Sequence, residues 1–339
     1  MSPPEHTTAT EAPLVTLVDI EAAADRLRGV IVRTPLLAYG RADARWFLKA
    51  ESLQPIGAFK IRGAYAAIAA LPATERARGV ITYSSGNHAQ GVARAARLLG
   101  IPAVVVMPSD APAIKRERVA ADGAEIVTVG TASDERQRVA EALAAERGLS
   151  IIPPYDDDRI IAGQGTIGLE IVADMADVAA VLVPIGGGGL ASGVASAVKA
   201  LRPPVRVIGV EPELAADARD SLARGEIVRW PADRVSRTIA DGTRTQALGV
   251  RTFAHLRARL DSIVTVSEAE ISAGVRLAAE RARLVVEPSG ALTIAALSFH
   301  AREIGLDAID GPVVAVVSGG NVDPDDYRGY LSAPIPPEG

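Results

Sequence analysis

An α/β fold built on mostly parallel sheets is what the sequence predicts. Short β-branched runs without polar alternation recur along the 339 residues, the pattern of strands buried on both faces. Amphipathic stretches separate them, as right-handed crossovers between parallel strands require. Several runs end in Gly-, Ser- or Asn-rich loops that lead into helices.

In chain order the expected strands are Arg45–Ala50, Gly79–Tyr83, Ala103–Met107, Glu125–Val129, Ala180–Pro184, Arg206–Val210, Ser262–Val266 and Val313–Val317. Helices are expected at Gly63–Leu71, Ala89–Leu99, Ser133–Arg147 and Leu190–Leu201. The chain is long enough for two domains. Residues 75–153 repeat strand and helix regularly between Pro72 and Pro153-Pro154, and read as a small mobile domain. Residues 15–74 and 154–339 then form the large domain, and 1–14, polar and rich in Pro and Thr, a disordered tail.

Composition narrows the function. Hydrophobic residues make up 48% and charged residues 23%, the mix of a soluble globular protein. A net charge of −5 with no basic patch argues against nucleic acid and anionic membranes as partners. The absence of cysteine excludes disulfides, thiolate zinc sites and cysteine nucleophiles. With no export signal at the N-terminus, a cytoplasmic protein is expected. Val178–Val198 is uncharged and about bilayer-long, but Pro184 and the four glycines Gly186–Gly189 make it a strand, a loop and a helix instead.

Four loops can carry chemistry. Lys60, one of only four lysines, lies where the first strand gives way to a helix, after Phe59. A lysine near a helix N-terminus and partly desolvated has a lowered pKa, suited to Schiff-base chemistry, although a surface lysine in a first turn is the common case. Ser84-Ser85-Gly86-Asn87-His88 sits at the next strand-to-helix junction, where backbone N–H groups and hydroxyls bind carboxylates or simply cap the helix. Gly186-Gly187-Gly188-Gly189 can wrap a phosphate ester at a helix N-terminus. The same loop fits a relaxed dinucleotide fingerprint, with Glu211 where a ribose ligand would stand. Ser318 ends the last strand and aims a hydroxyl at the crevice where such sheets bind ligands.

Together and in this order, the four loops resemble the fold-type II enzymes that use pyridoxal 5′-phosphate (PLP), in particular the serine/threonine dehydratases and serine racemases. The resemblance runs from about Ile20 to Asp323. It implies a tryptophan-synthase-β-like fold of two open, twisted, mostly parallel sheets, with the cofactor between a large and a small domain. By resemblance, Lys60 carries PLP as a Schiff base with Phe59 beside it, Asn87 hydrogen-bonds the pyridine hydroxyl, Gly186–Gly189 hold the phosphate, and Ser318 meets the pyridine nitrogen. The segment Ser84, Ser85, Gly86, Asn87 and His88 then holds the substrate carboxylate, with Gly242 a substrate-side backbone contact and Glu287 a structural or cofactor-adjacent acid.

A neutral hydroxyl at the ring nitrogen makes a weaker electron sink than a carboxylate, which favours β-elimination over transamination. The reaction expected is release of ammonia and a 2-oxo acid from L-threonine or L-serine, with Lys60 removing the Cα proton. Ser85 is serine where many threonine dehydratases carry alanine, so a serine racemase, perhaps bifunctional, is the alternative. A 3-hydroxyaspartate dehydratase is another, in which Arg136 could take part, although the surface of a helix is the commoner place for such a residue. Glu211, the carbonyl of Ala215 and Asp217 resemble the racemase branch's divalent-cation site, for Mg²⁺ or Ca²⁺. Relatives are commonly homodimers. The chain departs from the family at Pro55-Ile56-Gly57-Ala58, where Ala58 lacks a substrate-side hydroxyl. An NAD-dependent oxidoreductase and a non-catalytic protein with a retained PLP fold are the readings from other classes.

Overall fold

The computed structural model describes residues 12–40, 45–84, 86–111, 113–130 and 133–337. Among the described residues ten strands form two sheets: β1 (Leu36–Tyr39), β2 (Trp46–Ala50), β3 (Val80–Tyr83), β4 (Ala103–Pro108), β5 (Glu125–Val129), β6 (Ser150–Ile151), β7 (Ala180–Pro184), β8 (Arg206–Pro212), β9 (Ser262–Val266) and β10 (Val313–Val317). The larger sheet runs β1-β2-β10-β7-β8-β9 and the smaller β5-β4-β3-β6. Every pairing is parallel except that of β1 with β2.

Both faces of the larger sheet are covered. Ala180, Leu182, Ile208, Ala315 and Val317 pack against the helices Glu268–Leu277 and Pro288–Phe299. Val181, Val183, Val207, Val314 and Val316 point the other way, onto the helices Gly189–Leu201 and Val250–Arg259. Double burial is why these strands read as unbroken apolar runs. The uncharged stretch Val178–Val198 divides between β7, the glycine loop and most of the helix Gly189–Leu201. No helix among the described residues is long and apolar enough to cross a membrane.

The helix after β2 begins at Lys60 and ends at Ala69, three residues before the expected start. Gly63 reads as a helix start in the sequence, but it serves close packing. A Cβ there would lie 2.2 Å from Gln164 Nε2, and one on Gly163 would lie 2.7 Å from Gly63 Cα. The two glycines let this helix and the helix Asp158–Asp174 touch at their backbones. The helix after β3 likewise starts early, at Asn87. Residues 1–11 of the expected tail lie outside the described part, whereas the carbonyls of Ala12 and Pro13 accept from Arg251 and the Val15 N–H donates to His255.

A buried ion cluster underlies the Lys60 helix. Arg62 donates to Glu51 and Glu170, and Lys49 donates to the Thr34 carbonyl and pairs with Glu170 at 2.6 Å. The side chains of Lys49, Glu51 and Arg62 are fully buried. Burial alone would raise the Glu51 pKa, but the charge and hydrogen bonds of Arg62 outweigh it and hold the carboxyl below its ordinary value. A depressed carboxylate contributes stability above its unfolded pKa and loses it as pH falls through the folded one. Arg62→Leu strands the Glu51 charge, a loss of about 3–5 kcal/mol. Thermal unfolding should show that deficit at neutral pH and a smaller one well into acid. Equal melting temperatures at pH 7 would refute the assignment.

Candidate active site

The loops at the C-terminal ends of β3, β4, β7 and β10 surround one cavity of about 950 Å³. Phe59, Lys60, Ser84, Gly86, Asn87, His88, Gly186–Gly189, Gly242 and Ser318 all line it. Ser85 lies outside the described residues.

Lys60 opens its helix, and its Nζ donates to the Pro154 carbonyl at 2.7 Å. Phe59 places its ring centroid 5.3 Å from that amine. Burial brings the Lys60 pKa down to about 8, because a charged ammonium loses its water there. An appreciable fraction of this amine is therefore neutral and nucleophilic near pH 7 to 8.

The glycine loop is shaped by what crowds it. A Cβ on Gly187 would meet the Tyr155 ring at 2.2–2.4 Å, and one on Gly188, at φ +92°, would meet Thr252 Cβ at 2.8 Å. Thr252 Oγ1 donates to the Gly187 carbonyl and fixes the loop. Asp156 accepts from the N–H groups of Val250, Arg251 and Thr252 and so caps the helix that carries Thr252. Gly188 in turn caps the helix Gly189–Leu201 without a side-chain hydrogen bond. Backbone N–H groups at that terminus remain available to an anion.

The second helix N-terminus tells the same story. Gly86 stands at the N-cap of the helix Asn87–Leu99, and its own N–H donates to Ser84 Oγ at 3.3 Å; among the described residues no side chain caps the first turn. Asn87 Nδ2 donates to Glu287 Oε1 at 2.7 Å, and Asn87 Oδ1 accepts from Asn321 Nδ2 at 2.8 Å. His88 is buried and its Nε2 meets the Ile152 carbonyl at 3.0 Å. Burial, with the Lys60 charge beside it, pushes its pKa down to about 3. The ring is thus neutral at physiological pH and offers no charge to a carboxylate. The helix terminus is the better carboxylate partner.

Ser318 is buried, and its hydroxyl donates to the Ser289 carbonyl at 3.3 Å, a long bond that a better acceptor can replace. Its own carbonyl accepts from the Phe59 N–H, which joins β10 to the lysine loop. Ala58 forms an isolated bridge with Gly319 at the same seam. The Gly242 N–H is taken by Ser289 Oγ at 2.8 Å, so its role toward a substrate would fall to other atoms. Burial and the nearby Asp241 charge raise the Glu287 pKa to about 7.

Glu211, Ala215 and Asp217 do not line the cavity. Glu211 is buried and accepts from the N–H groups of Ala218 and Arg219. A glutamate spent on a helix terminus is poorly placed to hold a ribose, which removes the main support for a dinucleotide site. Both Asp217 oxygens are buried without a hydrogen-bond partner, and burial raises that pKa to about 7. No cluster of three or more His, Cys, Asp or Glu side chains able to hold a metal occurs among the described residues.

A lysine with a depressed pKa, two uncapped helix termini and a glycine cradle around one cavity are the parts a PLP site needs. The cradle admits no Cβ at Gly187 or Gly188, and Lys60, Asn87 and Ser318 line the same cavity. The residues present fit the cofactor. Residues 27–319 match the family described as "Pyridoxal-phosphate dependent enzyme", and the chain belongs to it. The fold is that of the fold-type II members. A solved threonine deaminase from T.th. is 47% identical, with a TM-score of 0.84 over 91% of this chain and 99% of that one. Maize serine racemase is 37% identical, with a TM-score of 0.89 over 94% and 97%. L-threo-3-hydroxyaspartate ammonia-lyase of Saccharomyces cerevisiae is 41% identical over 93% of this chain and 95% of its own. Within its family the chain is a PLP-dependent lyase of the ammonia-lyase type.

In the sequence Pro154, Tyr155 and Thr252 carry no assigned role, and Ser289 and Asn321 stand only as members of segments near the site, without a function for either. Pro154 acts through a backbone carbonyl, which residue type does not reveal. Tyr155 alone carried a signal, as an aromatic directly after a Pro-Pro boundary.

Proposed function

We propose that the chain releases ammonia from L-threonine and L-serine to give 2-oxo acids. The observation that carries this reading is the neutral-prone Lys60 amine in one cavity with an uncapped helix N-terminus. PLP, when bound, supplies the electron sink that makes the Cα proton removable. The loop Ser84–His88 binds the substrate carboxylate with backbone N–H groups and so orients Cα toward Lys60. Lys60 takes the Cα proton as general base, with the Pro154 carbonyl ready to receive its ammonium form. Gly186–Gly189 bind the cofactor phosphate, and Ser318 offers a neutral hydroxyl at the ring nitrogen. Residues 75–153 close over the substrate as a small domain, and the protein works as a cytoplasmic homodimer. The test is 2-oxo acid release by the PLP-loaded protein from L-threonine and L-serine, with D-serine formation followed in parallel for the racemase reading. No oxo acid from either substrate would retire the proposal.

The site at Glu211, the Ala215 carbonyl and Asp217 takes Mg²⁺ or Ca²⁺ in this reading. A hard cation would satisfy the partnerless Asp217 oxygens and relieve the repulsion that, after burial, raises the Glu211 pKa. Dialysis against a chelator should then lower the melting temperature, with recovery on adding the metal back.

A second reading has its own support. Arg136 lines the cavity, and burial lowers its pKa against the pull of Asp110. A half-buried guanidinium at the cavity suits a second carboxylate, as in 3-hydroxyaspartate. Arg136→Met should cut kcat/KM for L-threo-3-hydroxyaspartate by roughly 10- to 100-fold, the worth of a charged hydrogen bond, with threonine changed less than about threefold. Equal losses on both substrates would remove Arg136 from recognition.

A further inference from the structure

We propose that Asn321 is a positioning residue that fixes which way the Asn87 amide faces, and thereby which of its atoms is offered to the cofactor ring. The inference rests on the reading in which Asn87 donates to the ring oxygen.

Asn321 follows β10 by four residues and uses both ends of its side chain. Its Nδ2 donates to the Ile56 carbonyl and to Asn87 Oδ1, each at 2.8 Å, while its Oδ1 accepts from Arg118 Nη1 at 2.6 Å. Three segments therefore meet on one amide: the lysine loop, the helix Asn87–Leu99 and the helix Ala113–Ala121 beside the smaller sheet. The lysine loop makes room for it. Gly57, at φ +74°, would drive a Cβ to within 2.5 Å of Asn321 Oδ1.

The polarity of these bonds dictates the Asn87 orientation. A primary amide has one acceptor oxygen and two N–H donors. Asn321 presents an N–H to Asn87, so Asn87 must answer with its oxygen. Its NH₂ then faces Glu287 Oε1, at 2.7 Å, and its second N–H has no other acceptor among the described residues. Turning the Asn87 amide over would set two NH₂ groups against each other, losing the bond to Asn321, and would set a carbonyl against Glu287, which can answer it only when protonated. The remaining N–H is the donor that an anionic ring oxygen needs, whereas the flipped amide would bring its carbonyl oxygen there. Asn321 touches no reacting atom in this scheme and acts only through Asn87.

The experiment is titration of the apoprotein with PLP, followed by absorbance, in Asn321→Asp, Asn87→Ala, the double variant and Arg118→Ala. Asn321→Asp keeps the shape but removes both donors and sets a carboxylate against Asn87 Oδ1. The expected result is cofactor binding weakened by about tenfold or more, with a shifted absorption band, and no further loss when it is added to Asn87→Ala. Independent, multiplying effects in the double variant would overturn the inference, and so would Asn321→Asp with the native affinity and band. If Asn87→Ala itself changes neither affinity nor band, the reading of Asn87 falls and takes the inference with it. If Asn87→Ala weakens binding and Asn321→Asp does not, the inference falls alone. Should Asn321→Asp fail to fold, Arg118→Ala decides, since it removes only an exposed side chain. A loss of about threefold with the same band shift supports the scheme, and native behaviour overturns it.

Discussion

Lys60→Ala is expected to lower ammonia release by roughly 10³-fold or more, at the upper end of what a positioned general base contributes. Two losses combine in this variant. The covalent anchor for the cofactor disappears, and the other basic groups of the cavity are committed elsewhere, Lys115 to Asp241 and a neutral His88 to the Ile152 carbonyl. Treatment with borohydride should leave the variant without bound cofactor while fixing it to the native chain. The depressed pKa adds a sharper expectation. Attachment of PLP to the apoprotein requires the neutral amine, so its rate should climb with pH and level off above about 8, where an ordinary lysine would still be protonated. The cause is burial, and opening the cavity wall should move the inflection upward. A rate still rising steeply beyond pH 9, or a Lys60→Ala enzyme with native turnover, would sink the role assigned to this residue.

Gly188→Ala is expected to weaken PLP binding by about two orders of magnitude. Gly188 sits at φ +92° and ψ −10°, a conformation that L side chains rarely adopt, and holding alanine there costs about 1–3 kcal/mol. The new Cβ would also press on Thr252 Cβ at 2.8 Å and Leu248 Cδ2 at 2.9 Å, and Thr252 is buried with its hydroxyl committed to Gly187. Relief requires the loop to change shape, which moves the N–H groups at the start of the helix Gly189–Leu201. At about 1.4 kcal/mol per factor of ten, strain and lost phosphate contacts together reach a 100-fold effect. Fluorescence titration of the apoprotein gives the affinity, and its melting curve shows whether the fold survives. An affinity within threefold of native would mean that the loop does not hold the phosphate.

Much of this was legible before any coordinates. β4, β7 and β10 stood out because strands buried on both faces leave continuous Val- and Ala-rich runs. The four loops were legible because glycine and small hydroxyl residues at strand ends have few other uses. β1 and β6 were missed. One is a four-residue antiparallel edge strand and the other has two residues, too short for any periodicity. The ion cluster was invisible for another reason. Lys49 stood in the sequence as one lysine among four, and its pairing with Glu170 depends on a fold that brings distant segments together. Asn321 reads in the sequence only as the residue that closes the Ser318-Gly319-Gly320 turn. Its importance lies in the direction of its hydrogen bonds, which composition and spacing do not encode.

The neighbours of β10 have a consequence for how the chain is made. Trp46 pairs with Val313 and Ala50 with Val317, so an early strand and a late one lie side by side in the middle of the larger sheet. During synthesis the lysine loop emerges first and must wait for that partner, on the order of tens of seconds at ordinary elongation rates. The smaller sheet is different, since Val80 through Ile151 leave the ribosome in one stretch and can fold while translation continues. A nascent chain should therefore carry a finished four-stranded sheet long before it can retain cofactor. Ribosome-stalled chains ending before β10 would resist protease across 80–151 and stay colourless, gaining the yellow of bound PLP only once β10 and the Ser318 loop are free of the exit tunnel.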